Sequence, residues 1–326
     1  MKKILITGAL GQIGSELTAL LRENYGRNNV IASDIKSLTP EKKIQMEPFE
    51  NIDCLNAKAI YAIAKKYQID TIFHLAAILS AKGENNPQLA WKINIDGLYN
   101  ILNIAKELKC AVFTPSSIAA FGPSTPKDNT PQETIQRPNT IYGISKVAGE
   151  LLCDYYYQKY GVDTRGVRFP GIISHVTLPG GGTTDYAVDI FYHALQSHQY
   201  SCFLDKNTYL DMMYMPDALK AAIGIMEAEP CRLKHRNAYN ITAFSFSPQE
   251  LAREIEKHIP SFKMSYAIDP MRQAIAESWP KHLDDQTARK EWGWSPDYDL
   301  EKMVIDMLEK LKIKLLIGKQ HVVYSI

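Results

Sequence analysis

The run Thr7-Gly8-Ala9-Leu10-Gly11-Gln12-Ile13-Gly14 constrains the fold of this chain more than any other stretch. It joins the apolar segment Lys3–Thr7, read as a strand, to Gln12–Tyr25, read as a helix. Glycines at such a junction permit a tight turn and let backbone N–H groups approach a pyrophosphate, and the helix N-terminus adds partial positive charge. An acid, Asp34, closes the next apolar segment, Val30–Asp34. A carboxylate there accepts hydrogen bonds from the ribose hydroxyls of an adenosine and repels a 2′-phosphate. No arginine flanks Asp34, although Lys36 is near, so the pattern favours NAD over NADP. The bland alternative is a turn that merely connects strand to helix.

The alternation continues through the first half. Ala57–Tyr67 reads as a helix, Thr71–Leu75 as a strand, Gln88–Leu108 as a long helix and Ala111–Pro115 as a strand, followed by a helix over Ile144–Tyr160 and a strand over Thr164–Arg168. The strands are continuous apolar runs, as strands buried on both faces are. The expected fold is α/β, a Rossmann-type doubly wound parallel sheet with a smaller C-terminal substrate-binding lobe. After Pro170 the rhythm breaks. Val176–Thr184, rich in Gly and Pro, reads as a loop. Helices are expected at Asp185–Ser197, Pro216–Glu227, Pro248–His258 and Leu300–Leu311, and strands at Ala238–Ile241 and Lys263–Ile268. The tail Ile313–Ile326 suits packing on the body or on a partner. With no polar linker between the halves, residues 1–170 are expected to form the NAD-binding domain, with further elements from about 210–245. Residues 171–326 then form mainly a substrate lobe interleaved with the sheet.

Composition excludes several classes. The 326 residues carry 37 basic and 36 acidic side chains with no long run of either sign, so neither nucleic acid nor a membrane surface is an expected partner. No apolar stretch is long enough to span a bilayer. Met1-Lys2-Lys3 runs directly into Ile4-Leu5-Ile6, which leaves no room for a targeting segment. The five cysteines, Cys54, Cys110, Cys153, Cys202 and Cys231, are scattered and form no Cys-x-x-Cys. They read as reduced thiols in a cytoplasmic protein. The eight histidines show no ligand spacing, and no metal is expected.

Chemistry concentrates in Tyr142-Gly-Ile-Ser-Lys146. On a helix, residues four apart share a face. An ammonium beside the phenol favours phenolate and makes the tyrosine a proton acceptor. Alone this spacing is weak, since helices carry it by chance as a solvated pair. Together with the Gly8-x-x-Gly11-x-x-Gly14 spacing, however, the chain resembles the extended short-chain dehydrogenase/reductase superfamily over nearly its whole length. The resemblance implies that Gly8, Gly11, Gln12, Ile13, Gly14, Asp34, Leu75, Ala76, Ala77, Phe169 and Ile172 contact the cofactor, with Asp53 and Cys54 at its adenine. It puts Asn94 in a supporting position and, counting back from Gly122, puts Ser117 at the catalytic Ser/Thr position beside Tyr142 and Lys146. It further implies that Lys146 holds the nicotinamide ribose. Ser116 and Ser117 read alternatively as turn caps, Asn94 as a satisfied helix polar group, and His74 as a strand-end histidine. The expected chemistry is hydride transfer, with Tyr142 taking a hydroxyl proton and Ser117 steadying the same oxygen.

Within the superfamily, Leu178–Ala187 resembles a segment of the short-chain L-threonine 3-dehydrogenases. Ser278-Trp279-Pro280, Asp284-Asp285 and Ala288–Trp294 also resemble that branch. Pro170-Gly171 stands where sugar-nucleotide epimerases usually carry an asparagine. The resemblance implies NAD-dependent oxidation of the 3-hydroxyl of L-threonine in threonine catabolism. Thr183, Thr184 and nearby N–H groups suit a carboxylate. Asp185 reads equally as an ammonium partner and as a helix cap, and Asp284-Asp285 as a turn or helix start. Gly180–Gly182 forms a loop that can close, with Gly182 at the substrate. Ser80 and Ser116 lie where the family has substrate contacts, and Trp279 covers the pocket or is plain core. A UDP-sugar 4-epimerase and a non-catalytic NAD-sensing regulator are the alternative readings. A homodimer through the helices at Gln88–Leu108 and Ile144–Tyr160 is also implied.

Overall fold

The structure, a computed structural model, describes residues 1–178, 180 and 182–323, with side chains as far as residue 316. Pro179 and Gly181 of the expected loop and the last three residues of the tail lie outside the described residues.

The chain opens with β1 (Ile4–Thr7), α1 (Gln12–Tyr25), β2 (Val30–Asp34), α2 (Pro40–Met46), β3 (Phe49–Asn51), α3 (Ala57–Lys66) and β4 (Thr71–His74). Next come α4 (Ser80–Asn85), α5 (Pro87–Trp91), α6 (Gly97–Leu108), β5 (Ala111–Phe113), β6 (Ser116–Ser117), α7 (Ile141–Tyr160), β7 (Thr164–Arg165), β8 (Val167–Phe169) and β9 (Gly171–Ile173). Then follow α8 (Tyr186–Gln196), β10 (Gln199–Cys202), β11 (Leu210–Tyr214), α9 (Met215–Glu227), β12 (Tyr239–Asn240), β13 (Phe244–Phe246) and α10 (Pro248–His258). The chain ends with β14 (Lys263–Tyr266), α11 (Pro270–Ser278), α12 (Gln286–Trp292) and α13 (Leu300–Val323).

Six parallel strands form the main sheet in the order β3-β2-β1-β4-β5-β7, a Rossmann-type α/β arrangement. Side chains alternate across a strand, so each strand feeds two cores. Ile4, Ile6 and Ala32 pack with Leu17 and Leu21 of α1 and Ala222 and Ile225 of α9. Leu5, Ile31 and Val112 pack on the opposite face with Ile60 of α3, Ile101 of α6 and Cys153 of α7. A third core gathers Phe191 of α8, Leu251 and Ile255 of α10, Met303 and Met307 of α13, and Trp279. Fully burying one such large apolar side chain stabilises by about 1.5–3 kcal/mol.

Several boundaries differ from the sequence reading, each for a local reason. α7 starts at Ile141 rather than Ile144. Thr140 Oγ1 accepts the Gly143 N–H at 3.1 Å and Glu84 Oε1 accepts the Ile141 N–H at 2.8 Å, which satisfies donors of the first turn. The expected long helix starts at Pro87 and contains a π-helical turn, Lys92–Asp96. The expected strand Thr164–Arg168 divides at Gly166, where a Cβ would stand 2.3 Å from the Thr114 carbonyl oxygen. β7 therefore pairs with β5, whereas β8 pairs with β6 and β12. Strands the apolar pattern did not reveal assemble as β9-β11-β13, and β10 joins β14. α13 continues beyond Leu311, and Lys314 Nζ donates to the carbonyls of His175 (2.9 Å) and Val176 (2.8 Å), so this part of the tail packs on the body. Among the described residues no helix is long and apolar enough to cross a membrane, and no group of three or more His, Cys, Asp or Glu could hold a metal ion.

Candidate active site

The loops leaving β1 and β4 diverge at the switch point of the sheet, where open α/β folds bind ligands. Gly8 has φ +75°, and a Cβ on it would lie 2.7 Å from the Ala76 nitrogen. A Cβ on Gly14 would lie 2.2 Å from the Gly8 carbonyl oxygen. Both glycines are therefore required for β1, α1 and the Leu75–Ala77 loop to meet. Asp34 Oδ2 accepts the Leu10 N–H and Oδ1 accepts the Lys36 N–H, each at 3.0 Å, so this buried carboxylate stands against the same turn.

An open cleft extends from the turn. Of the expected cofactor residues, Gly8, Gly11, Gln12, Ile13, Gly14, Leu75, Ala77, Tyr142, Lys146, Phe169 and Ile172 border it. Of the expected substrate residues, Ser80, Ser116, Ser117, Gly182, Thr183, Thr184, Asp185 and Trp279 border it as well. Leu79, Pro115, Ile118, Pro170 and Gly171 also line the cleft and were not singled out as site residues. A Cβ on Gly171 would stand 2.3 Å from Met212 Sδ and 2.7 Å from Thr184 Cγ2. Glycine at 171 lets the Thr184 segment pack this closely.

Lys146 and Tyr142 share the inner face of α7. Lys146 Nζ donates to the Pro115 carbonyl at 2.7 Å and lies 5.3 Å from the centre of the Tyr142 ring. Asn94, on the π turn, uses its whole amide. Its Oδ1 accepts the Ile78 N–H at 2.8 Å, and its Nδ2 donates to the Ile78 carbonyl and Ser145 Oγ, both at 3.1 Å. Ser145 Oγ in turn donates to the Tyr142 carbonyl at 2.7 Å. Asn94 thus braces α7 against the loop after β4. π turns often mark such functional positions. Ser117 Oγ accepts the Ala119 N–H at 3.2 Å, and a hydroxyl that accepts in this way keeps its own proton for donation. The Ser117 turn cap and a role for its hydroxyl in the cleft are therefore compatible.

The structure places the other expected residues as follows. The Ser116 hydroxyl donates to Glu150, which forms a buried 2.8 Å ion pair with Arg168, so it is directed into that network rather than offered to the cleft. Asp53 and Cys54 do not line the cleft. Asp53 Oδ1 accepts the Leu55 N–H at 2.9 Å in the turn before α3. The Cys54 thiol packs where a Cβ on Gly97 would come within 3.0 Å, and burial pushes its pKa up to about 11. Asp34, Ala76 and Asn94 are likewise outside the cleft lining, and the latter two border a second cavity behind Lys146. Asp185 does not cap α8 with its side chain, but accepts the Gly182 N–H at 2.7 Å. The Thr183 hydroxyl is buried without a hydrogen-bond partner among the described residues. Trp279, 7% exposed, belongs to the third core and also borders the cleft, so both readings of it hold. Asp284 accepts the Gln286 N–H at 2.9 Å and Asp285 pairs with Arg289 at 2.7 Å, which is the helix start the sequence suggests.

The turn fits a dinucleotide: its packed glycines and the neighbouring Asp34 carboxylate leave a cradle that side chains would fill. Residues 4–242 match the NAD dependent epimerase/dehydratase family. An uncharacterized epimerase/dehydratase of Staphylococcus haemolyticus is 53% identical over 314 residues, which cover 96% of this chain and 99% of that protein. The X-ray structure of an L-threonine dehydrogenase from Clostridium difficile superimposes with a TM-score of 0.94 at 58% identity, over 96% of this chain and 98% of that one. The holo form of a GalE-like L-threonine dehydrogenase from Cupriavidus necator gives 0.92 at 48% identity, over 95% and 99%.

Proposed function

Because this chain belongs to the NAD dependent epimerase/dehydratase family, which makes NAD its cofactor, we propose that it oxidises the 3-hydroxyl of L-threonine to 2-amino-3-oxobutanoate. One observation carries the reading: a single cleft borders the phosphate-type turn, the Ser117–Tyr142–Lys146 group and the Gly182–Asp185 segment. The similarity to L-threonine dehydrogenases over almost the whole chain supports it.

Held by the Gly8–Gly14 turn and Asp34, NAD would supply the acceptor for the hydride of the carbinol carbon. Tyr142 takes the hydroxyl proton as its phenolate, and Ser117 donates a hydrogen bond to the same oxygen as charge develops there. Lys146, held by the Pro115 carbonyl, keeps positive charge near the phenol. The Thr183 hydroxyl, without a hydrogen-bond partner among the described residues, supplies a donor for the amino-acid carboxylate, with Thr184 beside it. Asp185 fixes the turn at Gly182 and adds negative charge on the side suited to the ammonium. The three cores support residues 1–170, with 210–245, as the cofactor-binding part and most of the rest as the substrate part. Exposed Trp91, Tyr99, Leu151 and Tyr155 on α5, α6 and α7 fit a homodimer through these helices.

NADH formation tests the assignment. Purified protein with NAD and L-threonine is expected to accumulate NADH, and with UDP-galactose to accumulate none. Interconversion of UDP-hexoses without NADH release would replace the dehydrogenase by an epimerase. NAD binding with no turnover of either substrate would leave a cofactor-sensing protein.

A further inference from the structure

Residues 174–185 join β9 to α8, and their close, Gly182–Asp185, borders the cleft. Their opening, Ser174–Val176, is gripped from two sides. On one side stands α1, the helix that follows the glycine turn. Glu16 Oε1 accepts the hydroxyl of the fully buried Ser174 at 2.5 Å, and Ser174 Oγ accepts the Val176 N–H at 3.0 Å. On the other side stands α13. Tyr214 Oη donates to Asp306 Oδ2 at 2.7 Å, which uses the only phenol proton, so the same oxygen accepts from His175 Nδ1–H at 3.0 Å. About two turns further along α13, Lys314 Nζ donates to the carbonyls of His175 at 2.9 Å and Val176 at 2.8 Å. It donates as well to Tyr192 Oη of α8 at 3.0 Å. An ammonium carries three donors, and these acceptors take all of them.

We infer that Lys314 is a positioning residue for the substrate site. Its ammonium ties the opening of the 174–185 segment to α8, the helix that follows its close, and so holds Thr183 and Thr184 where they receive the amino-acid carboxylate. The inference rests on the proposed dehydrogenase reading, which gives those threonines that task. Lys314 itself does not border the cleft and acts through the segment.

The tie is suited to that work. Charge-assisted hydrogen bonds are stronger than neutral ones, and two of the three act on main-chain carbonyls, so they fix backbone rather than a rotamer. The two ends of the segment already meet, since a Cβ on Gly171 of β9 would stand 2.7 Å from Thr184 Cγ2. The two grips share one electrostatic neighbourhood. Burial pushes the Glu16 carboxyl up, whereas the Ser174 hydroxyl and the Lys314 charge hold it back. A segment ordered in advance spares the substrate the cost of ordering it, so the tie contributes to threonine affinity. Tyr142 and Ser117 stand on α7 and β6, outside the tie, and the chemical step does not depend on it.

The test is steady-state NADH formation from L-threonine in wild type, Lys314→Met and Lys314→Arg, with NADH affinity by fluorescence titration and the melting temperature measured alongside. Lys314 is exposed, and methionine keeps an aliphatic stem while removing the three donors. Lys314→Met is expected to raise the KM for threonine about tenfold and to leave kcat, NADH affinity and melting temperature unchanged. Lys314→Arg keeps charge and N–H donors and is expected to recover most of the KM. A wild-type KM in Lys314→Met overturns the inference and leaves the dehydrogenase intact. So does an equal loss in both variants, because the donors would then not be what holds the segment. A fall in kcat and melting temperature together with the change in KM marks a merely structural role and overturns it too. A wild type that forms no NADH from threonine overturns the dehydrogenase reading and this inference with it.

Discussion

His74 sits directly behind Lys146 and stays uncharged. Its Nδ1 is 2.7 Å from Thr7 Oγ1, and complete burial, reinforced by the Lys146 charge, holds its pKa down to about 3. An unfolded histidine titrates near 6.5, so between that value and 3 the unfolded chain binds the extra proton. Stability from this group is therefore full above pH 6.5 and falls as pH drops. At pH 5 the loss reaches about 2 kcal/mol. Denaturant unfolding is expected to show His74→Asn less sensitive to acid by this amount, and parallel pH slopes would reject the assignment. Tyr142 makes a sharper case. Tyr142→Phe is expected to bind NAD normally in a fluorescence titration but to turn over about 10²–10⁴-fold more slowly. Near-normal turnover would remove it from the mechanism. That Tyr142, Lys146 and Ser117 border one cleft was readable from residue type and spacing. The engagement of Ser116 with Glu150 was not, because Glu150 and Arg168 come from distant segments and spacing says nothing about which hydroxyl faces them.

At the scale of elements, what was legible follows local chemistry. α1 runs over Gln12–Tyr25 and α10 over Pro248–His258 as expected. The second carries its own signals: Pro248 in its first turn, and a capping box between Ser247 and Glu250. β9, β11 and β13 carry no local signal because they pair only with segments distant in sequence, and β9 and β13 are only three residues long. The α1 turn offers a direct test. A methyl on Gly14 would meet the Gly8 carbonyl oxygen at 2.2 Å, so the turn must deform. Gly14→Ala is expected to cost about 1–3 kcal/mol in denaturant unfolding. It should also weaken NAD binding in a calorimetric titration. Unchanged affinity would show that this turn is not where the cofactor's phosphates rest. The start of α7 belongs to this scale too, since the Thr140 and Glu84 caps put Tyr142 inside the first turn, a full turn before Lys146.

At the scale of the molecule, the exposed face of α7 runs opposite the stripe that carries Tyr142 and Lys146. Leu151 is 62% exposed and Tyr155 50%, beside Tyr99 of α6, a large apolar surface for a protein to leave in water. Leu151→Glu is expected to shift the protein from dimer to monomer in sedimentation velocity, and a monomeric wild type would dismiss the dimer. Two scales of information meet in this chain. The alternating apolar strands and helices, the spacing of the turn glycines and the Tyr142–Lys146 interval are local patterns, and each reflects a backbone or side-chain preference that acts within a few residues. They determined the α/β class, the parallel sheet and the chemical type of the site. The tertiary structure alone decided which glycines face another backbone, which hydroxyls are already bonded, and that the Gly182–Asp185 segment and Trp279 close over the same cleft as the Gly8–Gly14 turn. Most of those outcomes depend on contacts between segments well separated in sequence, which packing and long-range pairing set and local sequence does not encode.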